Sequence, residues 1–382
     1  MYTMRSTLKR GREVWDRINM PATEFQKRVE IIREEMNKKD VDILLLYGTS
    51  PDHYANPTYV SNCMIKMPAG LLVAIPQNDE MVYFFEGGSR EIPAVKTTIW
   101  FEQARPAADM SVECVKYLKE KNLIPSTIGV VGFRELMPYY QSRFLFESLS
   151  QCKIVDFGPF LRDMKAIKSE RERDQMRRSA RILNLAFGHI INNPPRQTNE
   201  RAIEAILDKT MRLEGAEDCR VLIARPQEEK WAFRPAEDMP VLPSSTIIIY
   251  LAVEFERYWS ECIRTFVAES GRLVPPDLQN VQASYERVLH AIKAGKTVSQ
   301  FYRDTMADIQ KSDVDCIPTY GLGQGIGLSL QEHPVLAESE TIQLKEGMCF
   351  TLRLAMRDHG KGAIMIGNTV ILSANGLEVL TG

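Results

Sequence analysis

The stretch that decides the fold is TIIIYLAVEFERYWSECIRTFV, residues 246–267. Two apolar segments rich in β-branched and aromatic residues flank the pair Glu256 and Arg257, which predicts a long β-hairpin with a two-residue turn. Helix patterns precede and follow this hairpin, and the chain beyond about residue 318 is strand-rich with glycine at its turns. We therefore predict an α+β fold for the second half of the chain.

The first half of the chain shows a different pattern, in which short apolar strands alternate with helices. A helix is predicted over 23–38, with Thr23 and Gln26 as a capping box, and the segment VDILLLY at 41–47 predicts a buried strand. A further strand is predicted for TTIWF at 97–101. This alternation is typical of an α/β domain.

The change of pattern near residue 160 predicts two domains, 1–162 and 163–382. Ser169 and Glu172 form a capping box that opens a long helix of the second domain. Thr198 is the candidate N-cap of the next helix.

Composition restricts the class of protein. The 382 residues are 44% apolar and 26% charged with a net charge of -2, which is ordinary for a soluble globular chain and gives no broad surface for nucleic acid. No apolar run approaches the length of a membrane span, and the basic N-terminus lacks the apolar core of a secretory signal. Seven scattered cysteines without a CxxC pair favour a reduced, cytoplasmic compartment.

Three stretches of the second half resemble the creatinase / aminopeptidase P / methionine aminopeptidase superfamily, which has the pita-bread fold. In chain order they are IIIYLAVEFERYWSECIRTF, YGLGQGIGLSLQEHPVL, and LKEGMCFTLRLAM with MIGNTVILSANGLEVLT. The helix IKSERERDQMRRSARI resembles the linker of this superfamily, and the resemblance covers about residues 22–382. It implies a creatinase-type N-terminal α/β domain, a pita-bread C-terminal domain and a homodimer.

The resemblance also implies a comparison of metal ligands. Superfamily peptidases hold two divalent ions with two Asp, one His and two Glu, and a bridging hydroxide attacks the polarised carbonyl. Only one of the five corresponding positions carries a carboxylate here, so no metal or other cofactor is expected. Glu261 and Arg353 are expected to neutralise each other as a buried pair. The five positions are Tyr250, Glu261, Gln324, Arg353 and Gly367.

The acid and base groups of the relatives are replaced as well. The substrate-facing His of the peptidases corresponds to Gln331, which Glu332 and His333 follow. On a strand His333 would share the face of Gln331 and could partly stand in for that His. Creatinase uses a His just before the hairpin, but the region EEKWAFRPAED has none and carries Phe233 instead.

Each candidate residue has a functional and a structural interpretation. Glu261 is a general base or nucleophile, or else the structural partner of Arg353. Tyr250 is a general acid or hydrogen-bond donor, or else a core tyrosine that fills the former metal site. Arg353 suits bidentate binding of a substrate carboxylate. The candidate catalytic residues are Glu261, Tyr250, Glu332 and His333, and the candidate substrate-binding residues are Arg353, Gln324, Gln331, Phe233 and Lys66.

Lys66 belongs to the segment SNCMIKMPAG, which the resemblance would bring from one subunit of a homodimer to the cleft of the other. The alternative is a solvated loop lysine.

Two functions remain open from the sequence. The first is a metal-independent, creatinase-like hydrolase that acts on a C–N bond, amide or amidine, of a small polar substrate. Polar residues at the former ligand positions favour it, because unpaired buried polar groups are costly in a cleft without function. The second is a non-catalytic pita-bread protein that binds a small ligand or a protein partner, which the missing histidines and metal ligands favour.

Overall fold

A computed structural model describes residues 15–49, 53–64, 69–123, 125–193, 198–226, 231–242, 245–267, 279–311, 314–316, 320–358, 362–374 and 376–382. The chain divides into two compact units, Met1–Lys165 and Ala166–Gly382. The change of sequence pattern predicts this boundary at residue 162.

The first unit is built on a mixed sheet with the strand order β4-β3-β2-β1-β5-β6. β1 runs parallel to β5, and β5 to β6, whereas β2 is antiparallel to both of its neighbours. The predicted strand at 41–47 is the centre of this sheet, and its side chains are buried because elements cover both faces. The strands are β1 Ile43–Thr49, β2 Gly70–Pro76, β3 Val82–Glu86, β4 Gln103–Ala107, β5 Thr127–Val131 and β6 Lys153–Asp156.

Two local predictions for the first unit are wrong. The helix at its start begins at Ala22 after Pro21, and no side chain caps it, so Thr23 and Gln26 form no capping box. The segment 97–101 is not a strand, because the hydroxyls of Thr97 and Thr98 bond back to the preceding helical turn. The helices are α1 Ala22–Lys38, α2 Ala55–Ser61, α3 Ile92–Lys96, α4 Met110–Glu120, α5 Tyr139–Ser148 and α6 Gly158–Ala166.

The second unit contains a large curled sheet with the order β14-β13-β15-β16-β11-β10-β8, with β12 added to β15 and β17 to β16. The predicted hairpin is confirmed: Glu256 and Arg257 both have positive φ, 47° and 70°, as a two-residue type I′ turn requires. The strands are β7 Thr198–Asn199, β8 Asp218–Ala224, β9 Pro240–Val241, β10 Thr246–Phe255, β11 Tyr258–Val267, β12 Val314–Cys316, β13 Gly323–Gly325, β14 Glu332–Val335, β15 Cys349–Asp358, β16 Gly362–Ser373 and β17 Gly376–Val379.

Helix caps in the second unit follow the sequence in part. The capping box of Ser169 and Glu172 is confirmed at the start of the long helix. The next helix is capped by Asn199 and not by Thr198, because the Asn199 side chain accepts a hydrogen bond from the amide of Ala202 at 2.9 Å. The helices are α7 Glu170–Asn192, α8 Glu200–Leu213, α9 Gln279–Ala291 and α10 Val298–Ile309.

Three clusters of buried side chains are found among the described residues of the second unit. One lies between α7, α8 and the hairpin and another between α9, α10 and β15–β16. The third is smaller, and Tyr250 and Phe233 pack against it; its buried members are Ala224, Ile248, Ile263, Ala355 and Met365. Within the described part of the chain, no helix has the length and apolarity to cross a membrane.

Candidate functional site

The hairpin places Tyr250 and Glu261 on one face of the sheet. Glu261 on β11 pairs with Ala252 on β10, and Tyr250 lies two residues before Ala252, so the two side chains are diagonal neighbours. The Tyr250 hydroxyl donates a hydrogen bond to Oε2 of Glu261 at 2.9 Å. The alternation of the strand therefore produces this contact directly.

Arg353 on β15 completes the site and reaches across to the hairpin. Its Nη1 donates to Oε1 of Glu261 at 3.2 Å, and its Nη2 donates to Oε1 of Gln324 at 2.6 Å. Its Nε donates to the backbone carbonyl of Tyr320 at 2.7 Å. The predicted Glu261–Arg353 ion pair is thus present, with the two side chains 2% and 18% exposed. At this burial, removal of either charge would leave the other uncompensated and would destabilise the fold.

Gln324 and Gly367 are two further neighbours of Arg353. Gln324 on β13 holds its amide in place by donating from Nε2 to the carbonyl of Leu330 at 3.3 Å. Gly367 on β16 lies directly opposite Arg353, and a Cβ at Gly367 would lie 3.2 Å from the Cβ of Arg353. A larger residue at 367 would press on Arg353, so the glycine leaves room for the arginine.

Burial sets the protonation of the two acidic groups. Burial raises the pKa of the Glu261 carboxyl, while Arg353 and the hydrogen bond from Tyr250 act in the opposite direction. Burial, together with the neighbouring Glu261 carboxylate, raises the pKa of the Tyr250 hydroxyl well above its ordinary value. Tyr250 therefore keeps its proton and is a hydrogen-bond donor at neutral pH.

An aromatic cluster lies against this polar network. The Trp231 ring stacks on Tyr320 at 5.3 Å, and Phe233 contacts Tyr320 at 5.3 Å and Tyr250 at 5.8 Å. Phe233 thus lies beside Tyr250, and its role as a substrate-binding residue stays a prediction. These rings keep water from one side of the network and strengthen its electrostatic interactions.

The remaining candidate residues lie elsewhere or outside the described structure. Glu332 forms a buried ion pair with Lys168 at 2.9 Å, and Nδ1 of His333 lies 3.5 Å from a carboxylate oxygen of Glu340. Gln331 is exposed and forms no hydrogen bond with the described residues of the Arg353 network, and its place in the same cleft stays a prediction. Lys66 lies outside the described residues.

Local contacts and the start of β14 explain where Glu332 and Gln331 lie. Glu332 leads into β14, and its carboxylate also accepts the amide of Ser329, which turns the side chain towards Lys168. Gln331 precedes the strand, so the alternation of strand faces does not extend to it. The roles proposed for Glu332, His333 and Gln331 stay predictions.

Two contacts of the candidate residues do not follow from the sequence. Tyr320 contributes a backbone carbonyl to Arg353 and a ring to the aromatic cluster. Lys168 contributes the partner of Glu332, and burial lowers its pKa while the ion pair with Glu332 raises it, with a net increase. The tyrosine at the start of the glycine-rich YGLGQGIG segment was an available signal for the first, whereas nothing local marks Lys168.

The residues at this site do not fit a dinuclear metal centre. The position has one carboxylate, a guanidinium bonded to it, an amide and a phenol. Divalent ions of this kind prefer several anionic oxygen or imidazole ligands, and Arg353 would repel them. Across the described ranges, no group of three His, Cys, Asp or Glu side chains could hold a metal ion.

The fold defines a protein of the pita-bread class, with a creatinase-type α/β unit ahead of it in the chain. The sequence profile described as Metallopeptidase family M24 matches residues 174–374, and the chain belongs to that family.

Similar proteins support this assignment along nearly the whole chain. An Xaa-Pro dipeptidase of Pyrococcus horikoshii is 23% identical over 363 residues, 94% of this chain and 97% of the relative. The X-Pro aminopeptidase structure from Thermotoga maritima has a TM-score of 0.77 at 22% identity, over 93% of this chain and 97% of that one. The prolidase structure from Pyrococcus horikoshii has a TM-score of 0.75 at 22% identity, over 93% and 98%. At these identities the structural neighbours establish the fold.

Proposed function

We propose that this member of family M24 is a metal-independent hydrolase that acts on a C–N bond, amide or amidine, of a small polar substrate. The observation that carries the proposal is the hydrogen-bonded chain of Tyr250, Glu261 and Arg353 at the former ligand positions. A buried network of this kind is costly to keep in a cleft without function. The names of the relatives make dipeptides with a C-terminal proline the first substrates to test.

Arg353 is proposed to bind an anionic group of the substrate. A guanidinium has five N–H donors, and three of those of Arg353 have described partners. The remaining two donors suit a carboxylate, which would take the position that metal ions take in relatives.

Glu261 and Tyr250 are proposed to carry the proton transfers. A carboxylate whose pKa is raised by burial accepts a proton more readily, so Glu261 would take one from the attacking water. Tyr250 would donate its hydrogen bond to the oxygen or nitrogen on which negative charge develops. The proton held by Glu261 would then pass to the leaving nitrogen as the C–N bond breaks.

The test is a substrate panel of Xaa-Pro dipeptides, small amides and guanidino compounds, incubated with the protein in EDTA and followed by NMR. We expect one compound to be consumed, with turnover lost in Glu261→Gln and reduced in Tyr250→Phe. Tyr302→Phe on α10 is the matched control, because Tyr302 packs against a different part of the core. Turnover that requires added metal, or that survives Glu261→Gln, would contradict the proposal.

A second candidate function is non-catalytic binding of a small ligand or a protein partner. It is favoured by the closure of the network, since both oxygens of Glu261 already have partners in Tyr250 and Arg353. In the same NMR panel, a compound that broadens or shifts on binding but is never consumed would support this alternative over hydrolysis.

We also propose a homodimer located in the cytoplasm, on the basis of the resemblance and the cysteine pattern. Sedimentation equilibrium gives the oligomeric state, and a monomer at micromolar concentration would contradict the first part of this proposal.

A further inference from the structure

A cleft in the first unit lies at the carboxyl ends of its parallel strands. It has a volume of about 370 Å³ and is lined in part by Tyr47 and Thr49 at the end of β1 and by Glu86 at the end of β3. Ligands of open α/β sheets bind in this position, and the volume is within the range of small-molecule sites.

Two polar groups of the cleft have no hydrogen-bond partner within the described chain. Gln141 is 7% exposed, and its Nε2 donates to the hydroxyl of Tyr140 at 2.9 Å, while its Oε1 is buried without a partner among the described residues. Buried amide oxygens are seldom left in this state, so Gln141 can accept from a donor that none of the described residues supplies.

The hydroxyl of Tyr47 is the second of these groups, and it forms no hydrogen bond with a described residue. It lies over Gly70, where a Cβ would approach the hydroxyl to 2.5 Å, so the absence of a side chain at Gly70 makes room for this hydroxyl beside the cleft. Burial raises the pKa of Tyr47 to about 12, helped by Glu86, Tyr140 and Asp109, so the hydroxyl stays neutral.

The charge of the lining is negative. Glu86 contributes an exposed carboxylate whose Oε2 accepts the amide of Gly70 at 3.0 Å, and none of the described lining residues is Lys, Arg or His. The first turn of α5 also reaches the cleft, and helix N-termini favour anions. Two amides of that turn, those of Gln141 and Ser142, are already bonded to the carbonyl of Pro138.

We propose that this cleft is a binding site for a small organic ammonium ion. Its N–H donors would bond to Oε1 of Gln141 and to the Glu86 carboxylate, while its carbon skeleton packs against the tyrosine rings and Met110. This site is independent of the hydrolytic function proposed above.

The test uses three isosteric probes, benzylammonium, benzyl alcohol and benzoate, titrated into the full-length protein by calorimetry or ligand-detected NMR. We expect benzylammonium to bind about tenfold more tightly than benzyl alcohol, as one charge-assisted hydrogen bond provides, and benzoate to bind most weakly. Glu86→Gln removes the charge but keeps a polar group, and it should reduce the ammonium affinity about tenfold without changing the affinity for benzyl alcohol.

Matched variants separate this site from general surface charge. Glu102→Gln removes another exposed carboxylate, which pairs with Lys96 and does not line the cleft, and it should leave binding unchanged. Ala108→Phe narrows the cleft from its exposed rim and should abolish binding of benzylammonium. It tests the cleft even if the more direct variant Gln141→Leu, which removes the amide oxygen, fails to fold. Equal affinities for the ammonium and the alcohol, preference for benzoate, or no saturable benzylammonium binding at millimolar concentration would each overturn the proposal.

Discussion

Replacing Arg353 by Met tests the central ion pair, because methionine keeps much of the side-chain volume and removes the charge. In the wild type the Glu261 side chain is 2% exposed, so the variant keeps a buried carboxylate without its ion-pair partner. Of the hydrogen bonds described above, only the one from the Tyr250 hydroxyl to Glu261 remains. Breaking a buried ion pair costs about 3–5 kcal/mol. Because Arg353 is 18% exposed and Tyr250 remains, we expect a loss of about 2–3 kcal/mol in the free energy of unfolding at pH 8.

The loss should depend on pH in a defined direction. The pKa of Glu261 is raised in the folded protein, by burial, above its value of about 4.3 in the unfolded chain. The folded state then binds more protons than the unfolded state between these two values, so stability falls as pH rises through that window. Arg353 opposes the increase in pKa, so its removal widens the window towards higher pH. The destabilisation should therefore be smaller at pH 5 than at pH 8.

The assay is urea unfolding of wild type and variant at pH 5 and pH 8, followed by circular dichroism. Arg357→Met, on the same strand, is the control, because Arg357 forms no ion pair with a described residue. The double variant Arg353→Met with Glu261→Gln should recover part of the loss, since the uncompensated charge is then absent. A loss below about 0.5 kcal/mol at pH 8, or a loss equal at the two pH values, would refute the reasoning, since the typical cost of a broken buried pair is far larger.

Further expectations concern metal, ligand binding and stability. Elemental analysis should find no stoichiometric Mn, Zn or Co, and EDTA should leave the unfolding curve unchanged; one or two bound ions per chain would contradict this. Arg353→Lys should weaken binding of a carboxylate-bearing panel compound, because an ammonium cannot form the bidentate contact. Arg353→Glu should also weaken this binding, without creating metal-dependent peptidase activity. If calorimetry gives the wild-type affinity for both variants, Arg353 does not bind the anion. Lys168→Met should lower the free energy of unfolding in urea by about 3 kcal/mol, because Glu332 then stays buried without its partner; an unchanged midpoint would disprove it. Ser169→Ala should cost about 1 kcal/mol in the same assay through loss of the capping box with Glu172, and a variant as stable as wild type would argue against that cap.

Local patterns in the sequence were sufficient for the elements that carry the site. The hairpin follows from its two β-prone segments and the Glu256–Arg257 turn, and α7 follows from its capping box and apolar stripe. The Glu261–Arg353 pair could be predicted only with the family resemblance, which assigns both residues to one cleft, where a buried carboxylate and a guanidinium need each other.

Tertiary structure alone decided which distant groups complete these contacts. The Tyr320 carbonyl reaches Arg353, and Lys168 reaches Glu332 across 164 positions of the chain. Gln331 is exposed although its neighbours in sequence are not, and Asn199 displaces Thr198 as a helix cap. These contacts depend on the direction of the backbone and on which distant strands pair. The local periodicity of a sequence indicates the type of an element but not its distant partners.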